Sequence, residues 1–202
     1  MTRTILVTGG GTGIGAATAA RFARDGDTVH ITGRRPDVLK ETAAALGAIP
    51  ITCDHTNPDD LTALLDQLPA QLDVLVNNAG GNTDFDTSAA TDLTSYANAW
   101  RANLDANLLS AALTTRALTE RLAAGGAVVH LGSIAADKGA GAYGAAKAGL
   151  ASWNVGLAAE LGPRGITANV VAAGYVEATE FFRDRLTDER RARLIADTES
   201  SG

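Results

Sequence analysis

Short apolar runs rich in β-branched residues alternate with stretches of helical periodicity along the first half of the chain. TILVT (4–8), TVHIT (28–32), IPITC (49–53) and DVLVN (73–77) read as strands, and the stretches near 13–25, 36–46 and 58–68 read as the helices between them. The strands are nearly continuous apolar runs rather than alternating ones, as burial on both faces of a parallel sheet requires. The second half continues with a long helical region near 94–123, a strand AVVHLG (127–132), a helix near 143–162 and a strand TANVV (167–171). Breakers stand at the joints: AAGGA is expected to end the long helix, and GPRG the next one. Strand–helix repetition of this kind predicts an α/β fold, a doubly wound parallel sheet with helices on both faces in three layers. The final stretch, TEFFRDRLTDERRARLIADTESSG, reads as one or two amphipathic helices.

With no linker, repeat or low-complexity segment, the 202 residues are expected to form one domain, 1–202. A chain of that size buries roughly 70% of the surface its unfolded form exposes. The 17 Lys+Arg against 23 Asp+Glu, with net charge −6 and no basic run, argue against nucleic acid as a partner. A single cysteine, Cys53, excludes an internal disulfide. The opening MTRTILVTGG turns glycine-rich too soon for a signal peptide, and no apolar stretch reaches about 18 residues, so a soluble cytoplasmic protein with no membrane partner is expected. His30, His55 and His130 lie on or beside predicted strands without ligand-like spacing, so no metal site is expected.

The first strand runs directly into TGGGTGIG (8–15) and then a helix. A helix N-terminus offers unpaired backbone N–H groups and a positive dipole end, which suit a pyrophosphate. Gly9 makes the turn in this reading, Gly13 lets phosphates approach, and Gly15 lets helix and strand pack closely. About twenty residues past such a loop, where NAD-binding folds place an acid for the ribose 2′-hydroxyl, this chain reads TGRRPD. Arg34 and Arg35 favour a 2′-phosphate, because a guanidinium pairs with phosphate bidentately. NADP(H) is therefore expected over NAD(H), the alternative being a solvated arginine pair before the next helix. Asp54, ending the third strand, is either an acceptor for an adenine amino group or a turn residue.

Together TGxxxGIG (Thr8, Gly9, Gly13, Ile14, Gly15), NNAG (Asn77, Asn78, Ala79, Gly80), a serine after the fifth strand (Ser133) and YxxxK (Tyr143, Lys147) resemble the short-chain dehydrogenase/reductase family across essentially the whole chain. The resemblance implies a Rossmann-like sheet of order 3-2-1-4-5-6, a cofactor site that includes Asn78, Ala79 and Gly80, and hydride transfer between NAD(P)H and a carbonyl or alcohol. It also implies a catalytic asparagine in the helix before the fifth strand. Asn107 is chosen for its spacing from Trp100, with a role holding a water that links Lys147 to solvent. Asn103 is expected to be a surface or capping residue.

Tyr143 and Lys147 stand four apart at the start of a helix, so they share one face about 6 Å apart along its axis. A tyrosine that donates protons near pH 7 must fall about 3 units, which needs roughly 4 kcal/mol. One ammonium at about 4 Å supplies that order at an effective dielectric near 20. Ser133 is positioned to hold the substrate carbonyl. Lys147 also reaches the nicotinamide ribose, so it and Tyr143 count among the cofactor contacts.

Two departures from the family pattern stand out. Ala173 occupies the place of a proline that usually precedes Gly174, which leaves that turn freer. Gly174 and Val176 are still expected beside the nicotinamide, with Thr179 as a candidate phosphate contact or helix cap. Beyond them, Phe181, Phe182 and Leu186 hint at an apolar ligand or are core contacts. The second departure is the ending: a seventh strand is not apparent after IADTESSG, leaving the sixth as an edge. A homodimer or homotetramer is expected. The leading expectation is an NADP(H)-dependent carbonyl reductase or alcohol dehydrogenase, with 3-oxoacyl thioesters as one candidate substrate class. The alternative is a shortened, non-catalytic nucleotide-binding or interaction protein.

Overall fold

The computed structural model describes residues 2–85, 91–177, 179, 181 and 186–199. Six parallel strands form one sheet in the order β3-β2-β1-β4-β5-β6. They are β1 (Thr4–Thr8), β2 (Thr28–Gly33), β3 (Ile49–Thr52), β4 (Leu72–Asn77), β5 (Leu122–Ser133) and β6 (Thr167–Ala173). The sheet reverses direction of winding between β1 and β4, which pair as Ile5 with Val74 through Val7 with Val76. Ligands of open parallel sheets bind at such a reversal, beyond the C-terminal strand ends.

The continuous apolar runs have the expected cause, a core on each face of the sheet. On one face Leu6, Leu75 and Val128 pack with Leu61 and Leu64 of α3 (Pro58–Gln67), Leu118 of α5 (Ser110–Leu118), and Leu157 and Leu161 of α6 (Gly141–Leu161). On the other, Ile5, Val7, Ile31 and Val76 pack with Ala19 of α1 (Gly13–Arg24) and with Leu39 and Ala43 of α2 (Pro36–Leu46). Local signals set the helix ends. Pro36 and Pro58 open α2 and α3, and Gly47 closes α2 in the left-handed region at φ 67°. Gly165, at φ 70°, turns the chain from the GPR turn after α6 into β6.

The long helical stretch differs from expectation. It divides into α4 (Leu93–Leu104), a π-helical turn (Asp105–Leu109) and α5, followed by one 3₁₀ turn (Thr119–Arg121). AAGGA does not end it: Leu122 already pairs with Leu72, so β5 begins five residues before the apolar run AVVHLG. A register shift between Leu72 and Val74, with Gly125 at φ 77°, absorbs the irregular start. The tail contains one described helix, α7 (Asp188–Glu199), and Phe182 lies outside the described residues. Within the described sheet β6 is an edge strand, and its Val171 is 54% exposed.

Cys53 is fully buried just past β3, and burial pushes its thiol up to about 12. Trp153 packs beside the core and lies 5.1 Å from the His130 ring, while Trp100 rests on Tyr96. Among the described residues no group of three His, Cys, Asp or Glu side chains could hold a metal ion, and no helix is long and apolar enough to cross a membrane.

Candidate active site

The glycine loop leaves β1 with Gly9 at φ 64° and enters α1 with Gly13 at φ 53°, both conformations that exact little penalty only for glycine. A Cβ on Gly15 would strike the Gly9 carbonyl and come within 2.5 Å of Asn78 Nδ2. The loop is held from two sides. Asn78 Nδ2 donates to the Thr8 and Gly9 carbonyls at 2.9 and 3.1 Å, while Thr8 Oγ1 accepts from the backbone of Asn78 and Ala79 at 3.0 and 2.9 Å. Thr42 Oγ1 of α2 donates to the Gly11 carbonyl at 2.8 Å.

The start of α1 fits a dinucleotide phosphate. Thr12 at its N-cap makes no side-chain capping bond, and no acid stands in the first turn. By contrast Asn57 caps α3 and Asp92 caps α4 with their own side chains. A helix end left without a side-chain cap, approached through glycines, is the arrangement an anion needs. Ile14 is the second residue of that helix. Thr179 stands 3.6 Å from where a Gly13 Cβ would sit, and its hydroxyl donates to the Val176 carbonyl at 3.1 Å. Val176 itself is 40% exposed, two residues past Gly174 in the segment after β6.

At the end of β2, Arg34 and Arg35 are exposed, with Arg35 Nη2 3.5 Å from Thr12 Oγ1. Asp54 is engaged as a turn residue: one carboxylate oxygen accepts from the Thr56 backbone and hydroxyl at 2.9 and 2.7 Å. Those bonds, with the nearby Arg34 charge, outweigh burial and hold its carboxyl below the usual range.

Ser133 ends β5, and its hydroxyl oxygen accepts from Ala135 N at 3.1 Å. The Tyr143 phenol, buried at the start of α6, hydrogen-bonds Ser133. One turn on, Lys147 is 5% exposed and donates to the Leu131 carbonyl at 2.7 Å. Lys147 Nζ sits 5.8 Å from the centre of the Tyr143 ring, anchored on the β5 backbone. Burial raises the Tyr143 pKa above its ordinary value, and the Ser133 bond lowers it only in part. Burial also pushes Lys147 down to about 8.

Asn107 lies in the π turn, a feature common at functional sites. It brackets the chain after NNAG: Oδ1 accepts from Gly81 N at 3.0 Å, and Nδ2 donates to the Gly81 and Asn103 carbonyls at 2.9 and 3.0 Å. Gly80 lets it come close, since a Cβ there would fall 2.7 Å from Asn107 Oδ1. Asn103 is not the surface or capping residue expected. It is fully buried, because its amide fastens the 3₁₀ turn Thr83–Phe85 to α4. Phe85, which the sequence reading passed over, meets Phe181 with ring centres 5.8 Å apart, and Phe181 lies 5.7 Å from Tyr143.

The short chain dehydrogenase family model matches residues 3–190. A Mycobacterium tuberculosis (strain H37Rv) protein named as an oxidoreductase is 39% identical over 172 residues, 84% of this chain and 76% of that protein. The 3-oxoacyl-[acyl-carrier-protein] reductase FabG of Escherichia coli K12 is 33% identical over 201 residues, 95% of this chain and 80% of the relative. Among solved structures, a short chain dehydrogenase from Burkholderia cenocepacia J2315 in complex with NADP superposes with a TM-score of 0.82 at 35% identity, covering 95% of this chain and 82% of that one. The chain belongs to the short-chain dehydrogenase/reductase family of NAD(P)-dependent oxidoreductases acting on CH–OH and C=O groups.

Proposed function

We propose that this chain is an NADP(H)-dependent carbonyl reductase, or runs the reverse oxidation, with Tyr143 as its acid–base group. The observation that carries the reading is the meeting of the Ser133 and Tyr143 hydroxyls at the end of β5, with Lys147 one helical turn behind. When bound, the nicotinamide cofactor supplies or accepts the hydride.

The chain's own residues do the rest. Ser133 accepts from Ala135 N–H and spends its proton on the Tyr143 oxygen, and that proton can turn to orient a substrate carbonyl oxygen. Tyr143 gives that oxygen a proton on reduction and takes it back on oxidation. Because burial holds the phenol up, the reaction needs positive charge close by. Lys147, at about 8, keeps its charge at neutral pH. Asn107 has both amide hydrogens engaged, so a relay water toward Lys147 would rest on its oxygens.

For the cofactor, the uncapped α1 start with Thr8, Gly9, Gly13, Ile14 and Gly15 suits the pyrophosphate, with Thr179 alongside. Asn78, Ala79, Gly80, Gly174 and Val176 flank the nicotinamide half in this reading. Exposed Arg34 and Arg35 support the 2′-phosphate of NADP(H), as do the relatives solved with NADP and with NADPH. Asp54 remains able to face adenine through its uncommitted lone pairs. A homodimer or homotetramer is supported by exposed apolar side chains: Leu93 and Tyr96 on α4, Leu109 in the π turn and Val155 on α6.

The substrate is a small carbonyl or alcohol compound, and the FabG relative is the reason to try 3-oxoacyl thioesters. Following NADPH absorbance with ketones, aldehydes and 3-oxoacyl thioesters tests the reading. NADPH binding without turnover of any of them would favour a non-catalytic nucleotide-binding protein instead.

A further inference from the structure

The turn after NNAG is fastened by a side chain that the carbonyl chemistry does not use. Asn103 makes three bonds from one buried amide: Oδ1 accepts from Thr83 N at 3.2 Å, and Nδ2 donates to Asp84 Oδ1 at 2.8 Å and to the Ala99 carbonyl at 3.2 Å. A fully buried amide with both ends satisfied fixes whatever it holds. What it holds is a single 3₁₀ turn, and the residue that turn presents is Phe85.

Phe85 reaches Phe181 edge-on, at 84° between ring planes, and Phe181 is tilted 56° against Tyr143. The rings arrive from two different connections, one after β4 and one after β6, and meet beside the Tyr143 ring. Both phenylalanines are half-buried. Such a pair excludes water on that side and offers faces and edges to another flat apolar group.

We propose that Asn103 is a positioning residue for substrate selection. By tying Thr83–Phe85 to α4 it holds Phe85 against Phe181, and the two rings form a wall beside Tyr143 that favours carbonyl compounds carrying an aryl group over short aliphatic ones. The inference rests on the carbonyl-reductase reading above.

The test measures kcat and KM with NADPH for acetophenone and for 2-butanone in the wild type, Phe85→Ala, Asn103→Asp and the double variant Asn103→Asp/Asp84→Asn. Asn103→Asp keeps an acceptor for Thr83 N–H but sets a carboxylate against Asp84. Adding Asp84→Asn restores a complementary pair with the donor reversed. The aryl-to-aliphatic ratio of kcat/KM is expected to fall roughly tenfold in Phe85→Ala and in Asn103→Asp, mainly through KM for the aryl ketone. In the double variant it returns toward the wild-type value. A merely structural Asn103 would lower thermal stability while leaving that ratio where it was, and this result overturns the proposal, as does an unchanged ratio in Phe85→Ala. If the wild type turns over no carbonyl compound at all, the underlying reading falls and this inference with it.

Discussion

Lys147 gives its ammonium to the Leu131 carbonyl at 2.7 Å while standing 5.8 Å from the centre of the Tyr143 ring. A buried cation tied to backbone is kept at a cost. Its pKa falls from an ordinary 10.5 to about 8. Between those values the unfolded chain binds the proton that the folded chain has lost. The cost, about 3 kcal/mol, is thus fully present below pH 8 and vanishes above 10.5. Lys147→Met should raise unfolding free energy at pH 7 by about 1–2 kcal/mol, after allowing for the orphaned Leu131 carbonyl. It should also abolish turnover. Urea unfolding at pH 7 checks this, and a less stable variant would contradict it.

His55 is fixed between two hydroxyls, Thr32 at 2.7 Å from Nε2 and Thr114 at 2.8 Å from Nδ1. Thr114 spends its own proton on the Ser110 carbonyl, so it must accept from Nδ1–H, and Thr32 must donate to Nε2. Burial lowers the imidazole to about 4. Stability from the neutral ring is therefore complete above pH 6.5 and is lost as pH falls toward 4. Between pH 7 and 5 the loss from this group is about 2 kcal/mol. In His55→Gln the decline over that interval should be smaller by that amount, read from urea midpoints at the two pH values. Parallel declines would rule the account out.

Gly15→Ala should destroy NADPH binding. Its Cβ has no room beside the Gly9 carbonyl and Asn78 Nδ2, and Asn78 is the bracket that shapes the loop. Cofactor fluorescence titration should show at least about a hundredfold weaker binding, the scale of one displaced buried hydrogen-bond set. Binding within severalfold of wild type would remove the loop from the cofactor site.

Arg34 tests the choice of cofactor. Arg34→Glu puts a carboxylate where a 2′-phosphate is proposed to lie, so the preference for NADPH over NADH, as the ratio of kcat/KM values, should drop by about tenfold or more. An unchanged ratio would make the arginine pair a solvated one.

The strands and the glycine loop were legible in the sequence because their causes are local, while the sheet order came only with the family resemblance. Parallel strands buried on both faces become apolar runs, and a strand entering a helix through glycines leaves few alternatives. YxxxK was legible for the same reason, since a spacing of four fixes a shared face. The direction of the Lys147 side chain was not, because the carbonyl that takes it lies on β5, sixteen residues earlier. Spacing from Trp100 singled out Asn107, but nothing in the sequence marked Asn103 as buried, because the turn after NNAG that folds against it is a tertiary neighbour. The early start of β5 has the same origin: Leu122 pairs with Leu72 across a register shift that no turn residue announces.

Tyr143 is the group proposed to move the proton. NADPH oxidation by the wild type and by Tyr143→Phe, on the best carbonyl substrate found, is the most direct measurement of that role, with NADPH affinity determined alongside. Turnover should fall by at least about a thousandfold, within the range general acid catalysis supplies, with NADPH affinity within severalfold of the wild type. Turnover by Tyr143→Phe within tenfold of the wild type would contradict that role.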